Sequence, residues 1–386
     1  MNNPSHQLMN SRVTPVVYAM IGLMALALVA GAFLKGEVSE FCRQSWDATL
    51  MALIGMLAYL GLNSRIARLA AWLLLSVLLS ICVILNTAMA AMIVAAGSDL
   101  KNISLHSMAA GDKHLLVSIL MVSMMAALTA LLPLFHRVCI LGSILTGNRE
   151  WTSVRVMALG GVFAISLILL VPLVMLGQPP MSEMLAKNSG FAKMLSAVGN
   201  NPLGALRGDL YGLCWSLLAA PLAVGFGVRR NWNECLERLG MVRLSSRQIV
   251  AAIGLTALVY FLFQGTDTAI SHIWGFFHWP TTDEKYYEAL FKSTNSAVGA
   301  VVMGVTAGLG EELLTRGVLL PRLGILLSSV FFSAMHSYQY NWDALMSVFL
   351  FGIMLGVIRK KSSTSVCVIV HGGYDFVLCM IDFLSK

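Results

Sequence analysis

Residues 294–320 read TNSAVGAVVMGVTAGLGEELLTRGVLL, an apolar run long enough to cross a bilayer as a helix, whose only charged positions are Glu311, Glu312 and Arg316. Comparable runs lie at 13–34, 47–63, 69–97, 115–146, 154–177, 209–228, 247–265, 323–340, 343–358 and 364–384. The whole chain is 58% hydrophobic and 12% charged, with a mean hydropathy of +0.78, and one water-soluble core cannot bury that much apolar surface. The expected fold is therefore all-α: a polytopic transmembrane helix bundle of about eleven helices, with the lipid bilayer as its solvent. The first run follows a weakly basic leader carrying Arg12, and no small-residue cleavage pattern comes after it, so it predicts an uncleaved anchor.

The seven cysteines are odd in number, lie mostly inside apolar runs and lack CxxC spacing, so they read as packing residues with no disulfide framework. A formal charge of +7 does not imply a nucleic-acid partner, because the Lys and Arg are spread over short loops. They favour alternate loops, as in Arg229, Arg230, Arg238, Arg243 and Arg247, or Arg359, Lys360 and Lys361. The positive-inside rule then places the N-terminus in the cytoplasm, and the reading is an integral protein of a bacterial inner membrane. The chain divides near residue 230. Residues 1–230 form a membrane region of six helices, and residues 231–386 hold the chemistry, beginning with a charged amphipathic stretch at 233–240 that reads as a short surface helix. Residues 266–293 are expected to be an outer loop whose aromatics serve as a lid or as headgroup anchors.

Charge at membrane depth costs about 2.5–3.5 kcal/mol per residue, so its placement is informative. Of the 19 Asp and Glu, Glu311, Glu312 and Asp375 fall well inside the runs, and His336 and His371 lie in the same part of the chain. Glu312 and Arg316, Phe332 and His336, and His371 and Asp375 are each four residues apart, so each pair shares a helix face. With no water in the hydrocarbon these faces must satisfy one another, which predicts convergence on one interior pocket. Gly304/Gly308 and Gly352/Gly356 are small-xxx-small pairs that let backbones approach closely around it. At about 100° per residue Arg316 lies about 40° from Glu312 but about 140° from Glu311, so the ion pair belongs to Glu312. Glu311, left without a cation of its own, suits a general base, and His336 suits a proton relay. His371 and Asp375 are placed to stabilise an oxyanion, or Asp375 fixes the tautomer of His371.

The order Glu311-Glu312-Leu313-Leu314-Thr315-Arg316, then Phe332-Ser333-Ala334-Met335-His336, then His371-Gly372-Gly373-Tyr374-Asp375 resembles the EExxxR, FxxxH and HxxxN/D motifs of the CPBP family, the CAAX proteases and bacteriocin-processing (Abi-type) enzymes. The resemblance covers roughly residues 233–385. It implies an intramembrane endopeptidase in which Glu311 and His336 activate water and His371 with Asp375 holds the oxyanion. Glu312, Arg316 and Phe332 would be supporting residues, and the substrate a peptide or membrane protein. Members that cut prenylated CAAX proteins carry Asn at the last motif position; Asp375 departs from them within the broader pattern.

Two cofactor readings stay open. His336 and His371 with Glu311, or with Asp375, make a ligand set for zinc or another divalent metal, whereas HExxH is absent and related members also look capable of working as metal-free glutamate peptidases. A proton-coupled transporter would carry a matching polar set before residue 230, and none is present. The alternative function is a non-catalytic membrane scaffold, immunity or regulatory protein that retains the family fold. Rhomboid GxSG, Walker A and dinucleotide motifs are absent, and the echo of presenilin motifs at Gly308–Glu311 and Tyr374-Asp375 runs in the wrong order.

Overall fold

The computed structural model describes residues 15–95, 110–135, 137, 138, 140, 141, 144 and 152–385. The leader with Arg12, and His136, Cys139 and Arg149, lie outside the described residues. The described chain is helical throughout, with a lone β-bridge between Phe226 and Arg230. The first part holds α1 (Pro15–Phe33), α2 (Glu37–Arg43), α3 (Trp46–Leu60), α4 (Arg65–Ala95), α5 (Ala110–Leu128), α6 (Ser153–Leu176), α7 (Pro180–Lys187), α8 (Ser189–Asn200) and α9 (Pro202–Ala223). The second holds α10 (Trp232–Leu239), α11 (Ser246–Phe277), α12 (Glu284–Leu290), α13 (Ala297–Val305), α14 (Leu320–Ala334), α15 (Trp342–Lys361) and α16 (Thr364–Ser385). Between α13 and α14 the backbone is π-helical over Thr306–Glu311 and Leu313–Leu319.

Among the described residues eight helices are long and apolar enough to cross a membrane. Their outer faces leave residues such as Leu26, Leu73 and Phe261 exposed, the surface that lipid covers, and the chain is an integral membrane protein. The eleven runs map onto these eight in a simple way. Runs 47–63 and 209–228 become α3, which is only 15 residues long, and α9, and neither is among the eight; runs 294–320 and 323–340 fall within one continuous stretch, Ala297–Ala334. That stretch is nevertheless folded back on itself. Gly324, at φ 77° and ψ 178°, leaves the helical region, a conformation open to glycine because it has no Cβ. Arg316 lies 4.6 Å from the ring centre of Phe332, whereas 16 residues of straight helix would separate them by about 24 Å. The chain therefore runs down to Gly324 and returns, bringing His336 back to the level of the paired glutamates.

The expected short helix at 233–240 is α10. Asn231 and Glu234 form a capping box at its start, and Gly240 closes it in the left-handed region. The expected loop from 266 is different: α11 continues to Phe277, and the hydroxyls of Thr266 and Thr268 are satisfied within it by the carbonyls of Leu262 and Gln264. The six described cysteines are free.

Glycines set the distance between the two helices that matter most. A Cβ built on Gly372 of α16 would sit 2.2 Å from the Gly304 carbonyl oxygen, and one on Gly308 would sit 2.7 Å from the Gly372 Cα. Gly352 meets Ser329 and Phe332, and Gly356 meets Ile325, so both predicted small-residue pairs lie at helix contacts. Gly372→Ala must therefore push α16 away from α13, and overpacking of this kind costs about 1–3 kcal/mol. The melting midpoint of the purified chain in detergent should fall for Gly372→Ala and stay close to wild type for Gly254→Ala, where a Cβ meets nothing within 4 Å.

Candidate active site

Arg316 is the largest fully buried side chain, and its surroundings are built to hold it. Its Nη1 lies 2.6 Å from Glu312 Oε1 and also donates to Thr315 Oγ1 at 2.7 Å, and Nη2 donates to the Gly352 carbonyl on α15 at 3.1 Å. The Phe332 ring covers the guanidinium face. The same Glu312 oxygen accepts from His371 Nδ1 at 2.8 Å, and His371 Nε2 lies 3.4 Å from Asp375 Oδ2. One carboxylate thus ties α16 to the π-helical segment. Glu312 and Arg316 are essentially inaccessible, which is tolerable only because each charge has its counter-charge within hydrogen-bonding distance. The second glutamate oxygen, Oε2, is buried without a protein donor among the described residues.

Phe332 is the hub of the aromatic wall. Its ring packs edge-on against His336 at 5.2 Å and His371 at 5.8 Å, and Phe351 closes the other side of His371 at 5.1 Å. His336 donates from Nδ1 to the Phe332 carbonyl at 2.9 Å and stacks on Tyr340. A carbonyl only accepts, so Nδ1 carries the hydrogen and Nε2 is the nitrogen left to take or pass a proton. Glu311 is half-buried, and its side chain makes no hydrogen bond among the described residues; it lies within electrostatic reach of His371, Asp375 and Tyr340. The seven residues singled out in the sequence therefore separate into a fixed group and an unfixed one. Glu312, Arg316, His371 and Phe332 are locked, Asp375 sits at the edge of the lock, and Glu311 and His336 have reactive atoms to spare.

The metal-ligand set His336, His371 and Glu311 is not assembled. Among the described residues no three or more His, Cys, Asp or Glu side chains gather in a metal-holding group. The physical reason is visible at His371, whose two ring nitrogens already face carboxylates. The residues present do not fit a resident ion.

Three features carry no spacing signal. The π-helical backbone under Glu311–Leu319 is one, and such segments recur at functional sites. A second is the Glu312–His371 contact, made between residues on different helices. The third is a latch from the first part of the chain onto the turn after His336: Tyr338 Oη donates to Asn86 Oδ1, Ser337 Oγ donates to the Leu169 carbonyl at 2.7 Å, and Asn86 Nδ2 donates to the Ile168 carbonyl. Asn86, an amide in the middle of an apolar run, is the one sequence signal that points to this latch, since a buried amide needs partners.

Neither a curated protein nor a solved structure matches the chain. The segment that builds the site, residues 293–377, matches the model of the Rce1-like family, the type II CAAX prenyl endopeptidases.

Proposed function

We propose that the chain is an intramembrane endopeptidase that hydrolyses a peptide bond with water activated by Glu311 and His336. The observation that carries this reading is the division of labour between two adjacent glutamates: Glu312 is consumed by Arg316 and His371, while Glu311 is half-buried and uncommitted. The family match over the same segment supports it. Glu311 takes a proton from water, the hydroxide forms a bond to the scissile carbonyl carbon, and the proton passes through His336 Nε2 to the leaving amine as the C–N bond breaks. His371, donating from Nδ1 to Glu312, can offer an Nε2–H to the oxyanion in its imidazolium form, with Asp375 as the resting partner of that nitrogen. The catalytic unit in this reading is 231–386, with residues 1–230 an accessory membrane region. The substrate is a peptide or membrane protein reached from the cytoplasmic half of a bacterial inner membrane, with the N-terminus in the cytoplasm.

A comparison of protein termini in membranes of cells carrying the wild-type chain or Glu311→Ala, matched for amount, tests the assignment. A set of new termini should vanish with Glu311→Ala and with the isosteric Glu311→Gln, and His336→Ala should slow their appearance roughly 100- to 10,000-fold. Unchanged termini in a stably inserted Glu311→Ala protein would leave the scaffold reading in its place. The Glu312–Arg316 pair should behave differently. Arg316→Leu strands a buried carboxylate and should cost about 3–5 kcal/mol of stability. Combining it with Glu312→Gln should recover much of the melting midpoint without restoring cleavage.

A further inference from the structure

The end of the bundle where α3 and α10 finish and α6 begins forms a cavity of about 200 Å³, and five of the nine residues that line it are arginines. Arg155, Arg229, Arg230, Arg238 and Arg322 line it around the ring of Tyr59, and among the described residues no acidic side chain does. Arg155 and Arg322 are buried at its floor, and Arg229 is exposed at its mouth. Arg230 and Arg322 lie over the Tyr59 ring and donate to its hydroxyl at 3.0 and 2.6 Å. Arg230 also bonds the Val224 carbonyl, and Arg322 the carbonyls of Val318 and Ala223. Arg238 donates to the carbonyls of Gly317 at 2.8 Å and Val318 at 3.5 Å. The Gly317 contact has a local cause: Pro321 has no N–H for the carbonyl four residues before it, and the guanidinium fills in.

Those bonds orient three guanidinium groups without neutralising any of them. Among the described residues none of Arg229, Arg230, Arg238 and Arg322 forms an ion pair with a carboxylate. The contrast with Arg316, whose carboxylate lies 2.6 Å away, is within one stretch of chain. Burial, and then the neighbouring charges of Arg322, Arg230 and Arg359, push the Arg238 guanidinium down to about 9. Holding like charges together in a partly desolvated cavity is costly unless an anion joins them. Planar guanidinium forks match phosphate oxygens two at a time, and basic cavities between helix ends suit phosphate-bearing headgroups.

We propose that this cavity is a binding site for a phosphate group, presented by an anionic phospholipid headgroup or by a soluble phosphorylated molecule, and that Arg155, Arg229, Arg230, Arg238 and Arg322 are its ligands. It is separate from the peptidase site and does not rest on the peptidase reading.

The test uses the full-length protein in neutral detergent and in nanodiscs. Inorganic phosphate, titrated against chloride at equal ionic strength, should raise the melting midpoint saturably. Arg229→Gln, at the exposed mouth and with no side-chain hydrogen bond among the described residues, should weaken half-saturation roughly tenfold, the loss expected for one charge-assisted hydrogen bond. Arg322→Lys, which keeps the charge and removes the fork, should weaken it as well. In nanodiscs, stabilisation by phosphatidylglycerol over phosphatidylcholine, reversed by added phosphate, identifies a lipid headgroup as the occupant. Phosphate binding without a phosphatidylglycerol effect identifies a soluble one. No saturable response to phosphate or phosphatidylglycerol overturns the proposal, and so does a response that both variants leave unchanged.

Discussion

A single carboxylate oxygen, Glu312 Oε1, accepts from both Arg316 and His371, and the arrangement of the surrounding helices follows from the need to keep that group company inside hydrocarbon. Arg316 shares its helix face at a spacing of four, which local geometry supplies. His371 is on another helix, and its ring can reach only if the backbones nearly touch. Gly304, Gly308 and Gly372 provide that approach, because any side chain there would meet backbone first. The Phe332 ring must then cover the guanidinium, which requires the chain to reverse at Gly324. Each of these features is a consequence of matching two buried charges without water.

The fixed group also explains what is left unfixed. A locked Glu312 gives the pocket its shape and orients His371, and the adjacent Glu311 points to a different azimuth and keeps its oxygens. His336 is oriented by a backbone carbonyl rather than by another side chain, so its outer nitrogen stays available. The turn that follows it is held from the first part of the chain by Asn86 and Leu169, which ties the placement of His336 to helices far away in sequence. The hydrophobic packing reinforces this tie: Leu159 and Ala220 share a cluster with Leu313, Leu319 and Phe331.

What the sequence could reveal was whatever repeats along one helix. The i,i+4 pairs and the glycine pairs belong to this class and the structure contains them; the apolar runs belong to it too, and eight helices of spanning length come from them among the described residues. Contacts between distant segments leave no period, so the Glu312–His371 bond was out of reach, and Asn86 marks one end of the latch without naming its partner. Polar composition misled at residues 266–277: hydroxyls that bond their own helix look like loop residues in a sequence, and Asp267, bonded by Ser347, lies within α11 as a result. A metal set was one of two readings that the residue types left open. Types do not say which way an imidazole faces, and His371 faces carboxylates on both sides.

The two arginine environments on one hairpin show how depth decides the solution. Arg316 lies where neither solvent nor mobile ions can reach, so its counter-charge has to be another part of the protein, fixed at 2.6 Å. Arg322, six residues on and next to the reversal, lies where the spans end, and there an anion from the headgroup layer or the solution can serve. Among the described residues no carboxylate pairs with Arg230, Arg238 or Arg322 at that end, and one built in would neutralise those charges permanently. Backbone carbonyls and one phenol orient the guanidinium groups and leave their charge unspent, so the same residue type is a structural ion in the middle of the hairpin and a binding group at its tip.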